Sequence, residues 1–179
     1  MRQLGHVVQD LDAGVEAWSR QLGVGPWTIL RNVELLGTYE GQAARPVIDL
    51  ALGYRGDVQV ELIQQKNDAP SPYRVFIEQK RYGLHHLAFL CEDIDGAVAA
   101  GEAAGLKVVF DIRMGGGRYV YFPSPVPGEQ TYIELLQATT MMKQMFAAGI
   151  VAAREWQGEV KPMEFNMGPI GKLMRWFQT

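Results

Sequence analysis

"LGHVVQDLDAGVEAWSRQLGV" (residues 4–24) sets the fold, because "LHHLAFLCEDIDGAVAAGEAAGL" (residues 84–106) repeats its plan. Each stretch opens with histidine in an alternating apolar run, then passes through an acidic turn (Asp10 to Asp12, Glu92 to Asp95). Each then continues as an amphipathic helix that ends in glycine. Alternation suits a half-buried strand, an acidic side chain suits a helix start, and glycine suits a left-handed helix end. Asp12 and Asp95 are the expected N-caps, and Gly23 and Gly105 the expected helix ends. Matching histidine to histidine pairs His6 with His86 and sets His85 against Gly5.

Further strand-like runs follow each helix. The first set is "PWTILR" (26–31), "PVIDLALG" (46–53) and "DVQVELIQQ" (57–65); the second is "KVVFDIR" (107–113), "GRYVYFP" (117–123) and "QTYIELLQ" (130–137). Gly, Pro, Asp and Asn punctuate them. The expected fold class is therefore α+β, with two βαβββ modules at 1–65 and 83–137. A connector at 66–82 carries a short helix around "YRVFIEQK". A C-terminal helix and tail occupy 138–179, with Met141, Met142, Met145, Phe146 and Ile150 expected on one core-facing side. The last stretch, "GEVKPMEFNMGPIGKLMRWFQT", is expected to pack over the domain or across a subunit boundary.

A net charge of −3 over 179 residues gives no electrostatic reason to expect nucleic acid or an anionic membrane as partner. The sequence has no apolar run of membrane-spanning length, and "MRQLGHVVQD" lacks a secretory h-region. Cys91 is the only cysteine, which excludes an intrachain disulfide. A cytoplasmic protein is expected.

The fourth strand of each module ends alike, in "VQVELIQ" and "TYIELLQ". Glu61 lies between Val60 and Leu62, and Glu134 between Ile133 and Leu135, so each glutamate points away from the face its neighbours bury. Adjacent strand residues also face opposite ways, so only one of His85 and His86 is expected to look inward. Singly, such a histidine is an ordinary core residue and such a glutamate an ordinary solvated one. Two matching histidines and two matching glutamates on converging inner faces form a mixed N/O donor set for a divalent metal.

The chain resembles the vicinal oxygen chelate superfamily, which holds glyoxalase I, methylmalonyl-CoA epimerase, extradiol dioxygenases and bleomycin- or fosfomycin-resistance proteins. The resembling residues are "LGHVVQDLDAGVEAW", "VELIQ", "GLHHLAF" and "YIELLQ", within about 3–137. The resemblance implies paired βαβββ modules forming an incomplete barrel around a metal. It implies the ligands His6, Glu61, His86 and Glu134, with His86 inward and His85 packed under the helices or supporting the site from outside. The metal would be Zn, Ni, Co, Mn, Fe or Mg. The four-ligand set is similar to glyoxalase I and the epimerases, which abstract a proton beside a carbonyl. Asp10 and Gln65 stand where bacterial glyoxalase I has Arg and Asn that serve glutathione. Ala44, with Glu40 nearby, stands where the epimerases carry a second glutamate base.

The expected function is a divalent-metal-dependent isomerase, epimerase or lyase, with Glu134 or Glu61 as base. The expected partners are a small-molecule substrate with a carbonyl or vicinal oxygens and a second copy of the chain, without nucleic acid or membrane. The alternatives are an Fe(II) extradiol-type dioxygenase using His6, His86 and Glu134, and a non-catalytic binding protein. Trp27, Arg118, Tyr119 and Tyr121 are candidate substrate contacts, and Arg45 and Arg113 candidate anion partners.

Overall fold

The computed structural model describes residues 1–168. In chain order the elements are β1 (Gln3–Val7), α1 (Leu11–Leu22), β2 (Thr28–Glu34), β3 (Leu36–Tyr39), β4 (Gln42–Ala44), β5 (Val47–Arg55) and β6 (Val58–Gln65). Then come α2 (Pro72–Glu78), β7 (Gly83–Cys91), α3 (Ile94–Ala103), β8 (Phe110–Met114), β9 (Gly117–Pro123), β10 (Tyr132–Gln137), α4 (Thr140–Glu155) and β11 (Met163–Asn166). The strands form one mixed sheet in the order β11-β2-β5-β6-β1-β7-β10-β9-β8-β3-β4. Only Leu35 separates β2 from β3 in the chain, yet β3 pairs with β8 on the far side of the sheet. The sheet must therefore curl, and the result is the expected α+β incomplete barrel with a C-terminal helix.

The helix starts correct the sequence reading. The N-caps are Asp10 and Asp93, whose carboxylates accept the backbone N–H of Ala13 and Gly96 at 2.8 and 2.9 Å. Capping two residues earlier lets Leu11 and Ile94 begin the helix already buried. Asp12 and Asp95 sit in the first turns and pair with Arg31 and Arg118. Gly23 ends α1 at φ 62°, as expected, because that backbone conformation strains any residue with a Cβ.

Each face of the sheet carries its own core. On the convex face, α1 buries Leu11 and Val15 against Val60, Leu62 and Trp27, and α3 buries Ile94 and Val98 against Val120 and Phe122. On the concave face, Tyr73 and Phe76 of α2 pack with Val7, Ile63, Phe110 and Tyr121. Met142 and Phe146 of α4 pack with Tyr54, Ala88 and Leu136, the last two lying two residues beyond His86 and Glu134. Burial of a side chain such as Phe146 contributes about 1.5–3 kcal/mol. Gly149 permits this docking, since a Cβ there would come within 2.1 Å of the Tyr54 ring. The expected apolar side of α4 is narrower than the sequence suggested. Met142 and Phe146, four residues apart, are buried, whereas Met141 and Met145 are 57% and 40% exposed. After α4, β11 runs parallel to β2 and is tied to it by Glu164 and Arg31. Residues 169–179 of the expected tail lie outside the described residues.

Candidate metal centre

Strand register builds the site from two rows on the concave face. Gly5 is opposite both Glu61 on β6 and His86 on β7, and His86 is opposite Tyr132 on β10. One step along, Gln3 is opposite Gln59 and Ala88, and Ala88 is opposite Glu134. The rows read Glu61–Gly5–His86–Tyr132 and Gln59–Gln3–Ala88–Glu134. Exchanging the two halves of the chain converts one row into the other, matching Glu61 with Glu134, Gly5 with Ala88 and Gln3 with His86. The small residues leave the space that the large ones fill. A Cβ on Gly5 would lie 1.9 Å from Cε1 and 2.1 Å from Nε2 of His86.

The polar ends converge on His86 Nε2. Glu134 Oε2 is 3.1 Å from it, Glu61 Oε2 is 3.3 Å and Gln3 Oε1 is 3.4 Å. Ligand atoms of Glu61, His86 and Glu134 all lie within 4.8 Å of one another. Donors about 2.0–2.2 Å from one metal ion stand about 3.0–3.6 Å apart, so these spacings suit a shared cation. Gln3 is oriented by a relay: its amide N–H donates to Gln59 Oε1 at 2.7 Å, and the Gln59 amide donates to the Tyr54 hydroxyl at 2.6 Å. The Tyr54 hydroxyl faces the Met145 carbonyl of α4 at 3.4 Å. The Gln3 carbonyl is thereby turned toward the cluster.

The electrostatics describe a cation-hungry site. Burial opposes a charged His86, but attraction and hydrogen bonding from Glu134 and then Glu61 outweigh it and raise its pKa to about 9. Burial raises Glu61, with His86 pulling the other way and Glu134 adding to the rise. Glu134 Oε2 is buried, and His86 Nε2, at 3.1 Å, is the group beside it. Tyr121 faces the His86 ring at 5.3 Å between centroids, and its hydroxyl meets that of Tyr73 at 2.9 Å. Burial, then the charge of Glu134, pushes both phenols well up, and Tyr119 is pushed up to about 12 for the same reasons.

Two histidine expectations need correction. The register of β1 against β7 shifts between Gly5 and His6: Gly5 is opposite His86, and His6 is opposite Leu84. His85 is the extra residue of a β-bulge, so it and His86 turn to the same face. Their Nδ1 atoms are 2.9 Å apart, and His85 is fully buried among Tyr73, Phe76 and Tyr132. Burial, reinforced by His86, holds its pKa well below the usual value. His6, by contrast, is in register with the convex-facing Leu62, and its ring packs edge-on to Trp18 of α1 at 4.8 Å. It does not join the cluster, and burial lowers its pKa.

The residue that sequence reasoning missed is Gln3. The signal was present, because the 83-residue offset that carries Asp10 onto Asp93 carries Gln3, and not His6, onto His86. Other candidates also lie elsewhere. Trp27 is in the convex core, where its indole N–H donates to Ser19 Oγ at 2.8 Å. Arg118 is held by Asp111 and Asp95, which turns it from the concave face. Arg45 and Arg113 are exposed. Gln65 clamps the connector through Asn67, Ala69 and Ser71.

Comparison with known proteins identifies the family and the fold. Residues 2–122 match the family described as the glyoxalase/bleomycin resistance protein/dioxygenase superfamily. Protein YqjC of Bacillus subtilis (strain 168) is 30% identical over 92 residues, covering 50% of this chain and 65% of that protein, so the match spans under two thirds of the relative. Among solved structures, methylmalonyl-CoA epimerase from Mycobacterium tuberculosis aligns with TM-score 0.56 at 19% identity, covering 80% of this chain and 90% of that one. The Streptomyces coelicolor methylmalonyl-CoA epimerase in complex with 2-nitronate-propionyl-CoA aligns with TM-score 0.53 at 21% identity, covering 78% and 94%. These structures share the fold, and the match over residues 2–122 establishes that the chain belongs to the glyoxalase/bleomycin resistance protein/dioxygenase superfamily.

Proposed function

We propose that Gln3, Glu61, His86 and Glu134 hold a divalent metal ion and that the protein is an isomerase, epimerase or lyase acting beside a substrate carbonyl. The observation that carries this reading is the convergence of two carboxylates and an amide oxygen on one imidazole nitrogen, at 3.1–3.4 Å. When bound, the cation supplies electrostatic stabilisation of negative charge developing on a substrate oxygen. Glu134 takes the proton from the adjacent carbon, through the buried Oε2 that lies 3.1 Å from His86 Nε2. Tyr119 and Tyr121 share the concave side with Glu134 and shield it from water. The Streptomyces neighbour was captured with a CoA derivative, so an acyl-CoA thioester is the first substrate class to test, followed by α-hydroxy acids. With Asp10 capping a helix and Gln65 clamping the connector, glutathione conjugates are a poor fit. The protein is read as a cytoplasmic homodimer. Among the described residues, no helix is long and apolar enough to cross a membrane. The dioxygenase alternative gains no support, because it needs His6 beside His86 and their side chains leave opposite faces of the sheet.

The test is metal analysis of the purified protein, followed by solvent deuterium exchange into bound thioester or hydroxy-acid analogues. Glu134→Gln is expected to lower exchange by about 10²–10⁴-fold, and Glu61→Gln to keep metal and part of the exchange. Exchange lost in Glu61→Gln and kept in Glu134→Gln would reverse the assignment. Metal retention with no exchange into any carbonyl ligand would sink the isomerase reading in favour of a binding protein.

A further inference from the structure

We propose that His85 is a positioning residue for His86: its Nδ1 accepts the Nδ1–H of His86, which fixes the His86 ring and reserves Nε2 for the cluster. The purpose of this bond rests on the metal reading above, whereas its geometry does not. Two Nδ1 atoms 2.9 Å apart can share only one proton, so one must donate and the other accept. Among the described residues, the polar groups that meet His86 Nε2 are all acceptors: the oxygens of Glu61, Glu134 and Gln3. That nitrogen therefore carries either a proton or a cation. With a cation there, the one proton left to the ring sits on Nδ1; without it, a bare His85 Nδ1 at 2.9 Å calls for the same Nδ1–H. His85 offers the complementary preference. Its Nε2 is buried with no hydrogen-bond partner among the described residues, and the nearby backbone of Pro72 favours a proton on the ring. A bare Nε2 would leave a buried lone pair with no donor among the described residues. A ring protonated at Nε2 meets the preference set by that backbone and leaves Nδ1, 2.9 Å from His86 Nδ1, bare to accept. The rings of Tyr73, Phe76 and Tyr132, with centroids at 5.0, 4.6 and 4.9 Å, hold the imidazole in place. The bulge makes the contact possible, since in a regular strand these neighbours would leave opposite faces.

The test combines ring-nitrogen NMR with Zn²⁺ affinity measured by chelator competition on the full chain. In wild type, His85 is expected to be protonated at Nε2 and bare at Nδ1, and His86 protonated at Nδ1, with and without Zn²⁺. A proton on His85 Nδ1 overturns the proposal. His85→Phe fills the aromatic cage without an acceptor and is expected to weaken Zn²⁺ binding by about 10–100-fold. His85→Asn, which restores an acceptor oxygen, is expected to recover part of that loss. Unchanged Zn²⁺ affinity in folded His85→Phe also overturns the proposal. If His85→Phe does not fold, the wild-type tautomer and His85→Asn decide. Wild type that binds no Zn²⁺ would refute the metal reading, and the tautomer of the metal-free protein would still test the proton assignment.

Discussion

β1 and β7 open the two matching stretches of sequence, and they lie side by side at the centre of the sheet. β7 turns two imidazoles to the concave face, and β1 turns Gln3 and Gly5 there while sending its histidine to the helices. One strand supplies the nitrogen ligand and its support. The other supplies an amide oxygen and empty volume, and each needs the other. His86 lies over Gly5, in space that no other residue would leave. A duplicated fold can thus divide the labour of one site by making its halves unlike at a few inward positions.

Removing the empty volume should break this division most severely. Gly5→Ala places a Cβ inside the His86 ring, and rigid neighbours must shift. It is expected to weaken Zn²⁺ binding by about 100-fold or more, the upper end for losing ligand orientation, and to cost about 1–3 kcal/mol of stability. Calorimetric titration and denaturant unfolding check both, and near-normal Zn²⁺ binding would show that the strands are less interdependent than their packing implies.

The next effect comes from titration at the centre, which of these two strands only β7 contributes. His86 is raised in the metal-free fold to about 9 from an ordinary value near 6.5. Its contribution to metal-free stability is therefore fully present below about 6.5 and lost as pH rises through about 9. A metal must displace this proton, so Zn²⁺ affinity is expected to rise about tenfold per pH unit across that window. Chelator competition at several pH values tests this, and a flat profile would refute the His86 assignment.

Changing the amide side should have a smaller effect. Gln3→Ala removes one neutral donor and is expected to weaken Zn²⁺ binding by about tenfold, whereas Gln3→His makes the strands alike and should bind more tightly while adding a second titrating group. Loss of affinity in Gln3→His would indicate that the Gln59 and Tyr54 relay matters more than the donor atom. The smallest effect is expected at His6. His6→Ala should leave Zn²⁺ affinity within about threefold, a change of under 1 kcal/mol, and cost about 0.5–1.5 kcal/mol from the lost ring contact with Trp18. A large metal defect in His6→Ala would bring that histidine back into the site.

Local periodicity makes much of the molecule legible in the chain itself. Alternation placed Glu61 and Glu134 opposite their apolar neighbours, and the helices end near the expected glycines. The connector helix and α4 form where the sequence placed them. These features depend on contacts within a few residues, so the sequence by itself determined most of the elements and the facing of both carboxylates, whereas β3, β4 and β11 lie outside the runs read as strands. The bulge at His85 belongs to tertiary structure. Side chains alternate with period two, and one extra residue reverses that order only where a neighbouring strand fails to oppose it. The selection of Gln3 over His6 likewise follows from which strand residues stand in one row, and the place of α2 and α4 on the concave face follows from which surfaces the curled sheet leaves to cover. Non-local pairing decided these points, because whether a side chain reaches the centre depends on the strand beside it.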